Sequence, residues 1–187
     1  MKKVLIGISG GIAAYKTAEI TSQLMQAGCD VRVIMSTAAT KFITPLTFEA
    51  LTQKTVRTTL FPSSTQGEKE GIYPHLYPAT EADLFLIAPT TANTLAKLAH
   101  GIGDNIITCS ALSLKPTCKR LFAPAMNVQM WEQPIVQQNI QKINKLGWQQ
   151  IGPEKGNLAC GTEGFGRMSA PETIIKTILK QLHLVST

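Results

Sequence analysis

Val4-Leu-Ile-Gly7-Ile-Ser9-Gly10-Gly11-Ile12-Ala-Ala-Tyr15-Lys16 is the stretch that decides the fold. Val4–Ile8 is a short apolar run of buried-strand type, and the glycines close it. From Ile12 to Ala27 the apolar residues Ile12, Ile20, Leu24 and Met25 recur at helical spacing. A strand that turns through glycines straight into a helix opens a parallel strand–helix–strand unit. Such a turn lets backbone N–H groups approach an anion at the helix N-terminus, where the helix dipole also favours negative charge. A tight turn with no ligand accounts for the same residues.

The alternation continues along the chain. Val31–Met35 reads as a second strand, and Thr44-Pro45 as an N-cap and first residue of a helix running through Leu51. Thr55–Leu60 predicts a short strand, and Pro62–Pro74 a polar loop. Asp83–Ala88 and Arg120–Ala123 are strands, with helices over Thr91–Leu98, Asn105–Leu114 and Pro134–Leu146. Trp148–Ile151 is a short strand. The glycine-rich segment 153–168 lacks periodicity and predicts a mobile loop, suited to a lid over a site. Ser169-Ala-Pro-Glu172 matches a capping box, ahead of a helix with Ile174, Ile175, Ile178, Leu179 and Leu182 on one stripe. This order predicts a doubly wound α/β fold, a parallel sheet in a Rossmann-like or flavodoxin-like three-layer sandwich, with residues 1–187 forming one domain.

Composition narrows the function. The net charge of +6 comes from scattered basic residues with no run of nucleic-acid type, and a mildly positive field suits an anionic small molecule. Neither nucleic acid nor a membrane is an expected partner. The four cysteines form no C-x-x-C pair and have no histidine at ligand spacing, so no metal site is expected. Free thiols indicate a reducing compartment, and the chain reads as soluble and cytoplasmic. A charged fraction of only 16% suits a surface partly covered by other copies of the chain.

Ligands of such folds sit beyond the carboxyl ends of the strands, and each candidate motif follows a predicted strand. The first glycine loop is not spaced G-x-G-x-x-G. The second strand ends in Met35-Ser36-Thr37 and lacks the acidic residue that grips a dinucleotide ribose. A monophosphate ligand is therefore favoured over a dinucleotide. Ser36, Thr37 and Thr40, and Pro89-Thr-Thr91-Ala92-Asn93-Thr94, bring hydroxyl donors to the same edge. In any one loop these residues are equally plain helix caps; only their convergence points to a ligand. His75 can act as a base near neutral pH or serve as a hydrogen-bonded structural histidine. His100 and His183 read as structural. In Pro124-Ala125-Met126-Asn127 the Asn127 amide suits a carboxylate, though a turn-forming asparagine fits as well. Cys160, in the glycine-rich segment, is a candidate proton donor. Cys29, Cys109 and Cys118 read as buried filler.

Taken together, these motifs resemble the homo-oligomeric flavin-containing cysteine decarboxylases. The likeness runs through Gly7–Lys16, Phe42-Ile-Thr-Pro45, His75, Pro89–Thr94, Pro124–Asn127, Ala159-Cys160-Gly161 and Gly166-Arg-Met168. It implies FMN held by Ser9, Gly10, Gly11, Ser36, Thr91, Ala92, Asn93 and Thr94, although relatives usually carry serine at the Thr91 position. It further implies that His75 assists thiol oxidation and decarboxylation. Asn127, with Ala125 and Met126, would bind the substrate carboxylate, and Cys160 would protonate the product. The branch resembled most acts on 4'-phospho-N-pantothenoylcysteine in coenzyme A synthesis, giving 4'-phosphopantetheine. In that chemistry the cysteine side chain gives two electrons to FMN. The resulting thioaldehyde acts as the sink when carbon dioxide departs, and the enethiol is then reduced. The resemblance also implies a homotrimer or dodecamer with its active site between subunits. A separate phosphopantothenoylcysteine synthetase would perform the ligase step, unless the chain is a fragment of a bifunctional protein. Three alternatives stay open at this point: a peptidyl-cysteine decarboxylase, a flavin prenyltransferase, and a non-enzymatic FMN-binding regulatory subunit.

Overall fold

The computed structural model describes residues 1–61, 73–157, 161 and 163–184. Its strands are β1 (Lys3–Ile8), β2 (Asp30–Met35), β3 (Leu84–Thr90), β4 (Lys119–Pro124), β5 (Trp148–Gln150), β6 (Glu154–Asn157) and β7 (Glu163–Arg167). Its helices are α1 (Lys16–Gln26), α2 (Pro45–Thr52), α3 (Tyr77–Glu81), α4 (Ala92–His100), α5 (Ile106–Leu112), α6 (Val128–Glu132), α7 (Pro134–Lys145) and α8 (Pro171–Gln181).

The first five strands form one parallel sheet in the order β2-β1-β3-β4-β5. Central strands of a parallel sheet are covered on both faces, which is why β1 and β3 read as unbroken apolar runs. Their side chains nonetheless alternate between two cores. Val4, Ile6, Ile8, Leu84 and Leu86 enter the core shared with Ile20 and Leu24 of α1, Phe48 of α2 and Ile174 and Ile178 of α8. Leu5, Phe85, Ile87 and Phe122 enter the opposite core, with Leu95 of α4, Ile107 of α5 and Ile140 and Ile143 of α7. The result is the expected helix–sheet–helix sandwich. The order 2-1-3-4-5 places the change of winding direction between β1 and β3, where such sheets bind their ligands.

Several local expectations are corrected. Thr55–Leu60 is not a strand; a single bridge joins Arg57 to Ile34. Only Arg57 meets the β2 edge, its carbonyl accepting the Met35 N–H at 2.9 Å, so β-branched residues alone do not extend the ladder. The helix expected from Ile12 opens as a 3-10 turn over Ile12–Tyr15 and becomes α-helical at Lys16. Where it is described, segment 153–168 is not irregular: β6 and β7 pair antiparallel as a hairpin. Leu158, Ala159, Cys160 and Thr162 lie outside the described residues, as does most of the predicted loop 62–74. The capping box at 169–172 does not form. Ala170 is the N-cap of α8, Pro171 begins the helix, and the acceptor for the Ala170 N–H is Glu154 Oε1 at 3.2 Å. Cys29 and Cys118 are buried as expected, and burial pushes the Cys118 thiol up to about 11. Cys109 is only half-buried, with its Sγ 3.2 Å from the Gly103 carbonyl oxygen. No helix among the described residues is long and apolar enough to cross a membrane.

Candidate active site

The sheet's carboxyl edge opens into a cleft of about 1140 Å³. That exceeds the usual 300–1,000 Å³ of a small-molecule site, so it can take a sizeable ligand and a second molecule beside it. Its floor is the glycine turn after β1. A Cβ on Gly10 would lie 2.4 Å from the Ala38 Cβ, so only glycine lets the loops after β1 and β2 approach this closely. Gly11 faces open space by comparison, its nearest neighbour being Thr91 at 3.5 Å.

Ser9 does not line the cleft; it is buried beneath it. Its hydroxyl donates to the Pro89 carbonyl at 2.7 Å and accepts the Thr91 N–H at 3.0 Å. It thus ties the exit of β1 to the exit of β3. Thr91 is the N-cap of α4, and its Oγ1 accepts the Thr94 N–H at 3.4 Å. Ser36 caps the turn after β2 by accepting the Ala39 N–H at 3.2 Å. The capping role weighed for these hydroxyls is real, and it coexists with the convergence: Gly10, Gly11, Ser36, Thr37, Thr91, Ala92, Asn93 and Thr94 all border one cleft. Thr40 does not border it.

On the far side lie Ala125, Met126 and Asn127. Asn127 is the N-cap of α6, its Oδ1 accepting the Gln129 N–H at 2.8 Å. The β6–β7 hairpin docks on this segment, with the Met126 N–H bonded to the Gly166 carbonyl at 2.9 Å. A Cβ on Gly166, at φ +136°, would lie 2.2 Å from the Met126 carbonyl oxygen, and one on Gly164 would lie 2.6 Å from Val128. The glycines of this segment therefore permit close docking.

His75 is not among the residues that border the cleft. Its carbonyl accepts the Ser110 hydroxyl at 3.1 Å, and its buried Nδ1 meets no hydrogen-bond partner among the described residues. Cys160 lies outside the described residues. His100 is on the surface, its Nδ1 2.9 Å from the Ala96 carbonyl.

Charged residues not singled out from the sequence also frame the cleft. Lys97 and Asp104 form an ion pair of 2.6 Å, and the Lys97 hydrogen bond holds the Asp104 carboxyl below its usual range. Lys16 sits 3.4 Å from the Met168 carbonyl. Burial, and then the nearby Arg167 charge, pull its ammonium below the usual lysine range, against the opposite pull of Glu154 and Glu172. Lys97 on α4 and Asp104 in the turn before α5 read as isolated solvated charges, so the sequence carried no signal for this pair. Asn105 did carry one: it forms a capping box with Thr108 at the start of α5.

The family model described as Flavoprotein matches residues 1–183. This chain belongs to the flavoprotein family. Within that family it is 44% identical over 181 residues to a probable phosphopantothenoylcysteine decarboxylase of Streptococcus mutans, covering 97% of this chain and 99% of that protein. It is 43% identical over 175 residues to the coenzyme A biosynthesis bifunctional protein of Bacillus subtilis, covering 94% of this chain but only 42% of that longer protein. Among solved structures, a cysteine-to-serine mutant of PPC decarboxylase complexed with pantothenoylaminoethenethiol superposes with a TM-score of 0.85 at 29% identity. It covers 97% of this chain and 98% of that one. The FMN-binding protein AtHal3 superposes at 0.82 with 31% identity, over 98% of both chains.

Proposed function

We propose that this flavoprotein decarboxylates 4'-phospho-N-pantothenoylcysteine to 4'-phosphopantetheine with FMN as its cofactor. The observation that carries the reading is the shared cleft. Gly10, which leaves no room for a Cβ, and the capped start of α4 meet at the β1/β3 switch point, facing the Ala125–Asn127 segment across the gap. A helix N-terminus with Thr91, Ala92, Asn93 and Thr94 suits a phosphate monoester, and the absence of a ribose-binding acid after β2 suits a mononucleotide. Bound there, FMN supplies a two-electron acceptor for the substrate's cysteine side chain.

The protein's own groups have separate tasks in this reading. Gly10 and Gly11 let the backbone approach the cofactor, and Ser36 and Thr91 bring hydroxyls to it. Ser9 acts from beneath by fixing the two loops to each other. Ala125, Met126 and Asn127 receive the substrate carboxylate, held in place by the hairpin that Gly164 and Gly166 allow to dock. Cys160 is assigned as proton donor on the resemblance alone. His75 lies away from its own chain's cleft, its Nδ1 unpaired among the described residues, and the apolar Ile12 and Tyr15 are 58% and 60% exposed at the cleft mouth. Both features support an assembly in which a neighbouring copy covers the cleft and presents its His75, in a trimer or a higher array of trimers. A separate synthetase would supply the substrate.

The test is to incubate FMN-loaded protein with phosphopantothenoylcysteine and follow carbon dioxide and phosphopantetheine. Formation of both is expected. Turnover only of a cysteine-ended peptide, or only of dimethylallyl phosphate, would reject the assignment in favour of a related activity.

A further inference from the structure

Among the described residues, the charged groups that border the cleft are Lys16, Lys97, Asp104 and Arg167. Lys97 and Asp104 cancel each other in their 2.6 Å ion pair. Lys16 and Arg167 are not cancelled: no carboxylate among the described residues lies within ion-pair distance of either. They reach the cleft from different segments. Lys16 opens α1 with its Nζ 3.4 Å from the Met168 carbonyl oxygen, and Arg167 ends β7. The exposed Arg167 side chain lies over Gly156 of β6, where a Cβ would come within 3.2 Å of its Nη1. The two cations feel each other, since after burial the Arg167 charge is what pulls the Lys16 ammonium down. Glu154 and Glu172 pull it the other way, but Glu154 Oε1 already accepts the Ala170 N–H and Glu172 stands in the first turn of α8. Like charges gathered at one wall of a cleft favour an anion brought between them.

In the reading given above, the glycine turn and the start of α4 receive the cofactor phosphate, and Asn127 receives the substrate carboxylate. Neither cation has a task there, while the substrate has one more anionic group. A phosphate monoester carries a charge of about −1.5 to −2 at neutral pH, which matches two cations. The chain itself links the two places: the Gly166 carbonyl accepts the Met126 N–H beside Asn127, and Arg167 and Met168 follow it toward Lys16. Resting on that reading of the substrate, we propose that Lys16 and Arg167 form the subsite for its 4'-phosphate. The Arg167 guanidinium offers a two-pronged hydrogen bond, and the Lys16 ammonium a compact charge. The pair sets specificity as well. A cysteine-ended peptide brings no dianion to it, and pantothenoylcysteine without its phosphate leaves both cations uncompensated.

The test assays FMN-loaded protein with phosphopantothenoylcysteine and with pantothenoylcysteine, and titrates phosphopantetheine and pantetheine into it calorimetrically. The wild type should prefer the phosphorylated member of each pair by about a hundredfold, in kcat/KM and in affinity. Lys16→Met and Arg167→Met should each cut that preference by about tenfold, through KM, while Lys16→Arg and Arg167→Lys keep most of it. Arg167 is exposed, so Arg167→Met decides the matter even if Lys16→Met proves unstable. Equal efficiency with both substrates overturns the phosphate subsite alone, as does an undiminished preference in Arg167→Met. A preference lost in step with FMN affinity also overturns it, because the cations would then hold the cofactor's phosphate. Turnover of neither compound rejects the decarboxylase reading itself, and this subsite with it.

Discussion

Replacing Ser9 by alanine removes a single oxygen that is 1% exposed, yet that oxygen joins the two loops on which the cleft is built. The hydroxyl donates 2.7 Å to Pro89 and accepts 3.0 Å from the Thr91 N–H. After the substitution the Pro89 carbonyl keeps only the long backbone bond from the Ser9 N–H at 3.4 Å. The Thr91 N–H, at the head of α4, loses its acceptor. A buried group left unpaired costs about 1–3 kcal/mol, and the net value of the second bond is about 0.5–1.5 kcal/mol. Half-buried Thr91 can recruit water, which favours the lower part of the sum, so Ser9→Ala should destabilise the fold by about 2–3 kcal/mol. That is a large fraction of an ordinary folding free energy. Urea unfolding of the flavin-free protein measures it, and an FMN titration measures the second effect. With the α4 N-terminus no longer anchored to the glycine loop, FMN affinity should fall by about tenfold or more. A variant within about 0.5 kcal/mol of wild type, with unchanged FMN affinity, would refute the reasoning, because Ser9 would then be a passive filler.

Gly166→Ala forces a side chain at φ +136° against the Met126 carbonyl, so the hairpin must lift from the Ala125–Asn127 segment. A loss of about 1–3 kcal/mol is expected, together with a raised KM for the substrate and intact FMN binding, read by unfolding and steady-state kinetics. Asp83 accepts the Lys3 N–H at 2.9 Å and faces Lys115 at 3.3 Å, and these hold its carboxyl below the usual carboxylate range. Its folded value is depressed, so its contribution is present above the unfolded value and lost as pH falls through the folded one. Asp83→Asn should therefore cost less than about 1 kcal/mol at neutral pH, given partial exposure, and its difference from wild type should begin to shrink as pH falls below about 4. His75→Asn should retain FMN and lose turnover. Mixing its subunits with those of a Gly10→Asp variant, whose cleft is blocked, should restore activity if His75 serves a neighbouring copy. An inactive mixture, shown by mass to contain both subunits, would return His75 to its own chain.

The sheet was legible because its central strands are buried on both sides, so β1, β3 and β4 announce themselves as apolar runs with no partner needed to read them. The glycine turn and the α4 cap were legible for a different reason: each is a local backbone solution written in adjacent residues. Contacts between distant segments were not. The glycines at 164 and 166 suggest a loose loop until Val128 and Met126 are seen pressed against them. Glu154 takes over the capping of α8 from 16 residues upstream, displacing the local motif at Ser169. Thr55–Leu60 has strand-forming residues but only one bridge to the sheet edge. The hydrogen bonds of Ser9 to Pro89 and Thr91, which seat it beneath the cleft, likewise join segments about 80 residues apart. The charges at Lys16, Lys97 and Asp104 became site residues only once the fold brought α1, α4 and the turn before α5 to one edge.

The central requirement is a cleft at the β1/β3 switch that accepts a flavin mononucleotide. Titrating the flavin-free, folded protein with FMN, with NAD as the comparison, tests this directly. Saturation near one FMN per chain, a shifted flavin spectrum and no competition by NAD are expected. A folded preparation that leaves FMN unbound, or takes up NAD in its place, would contradict it.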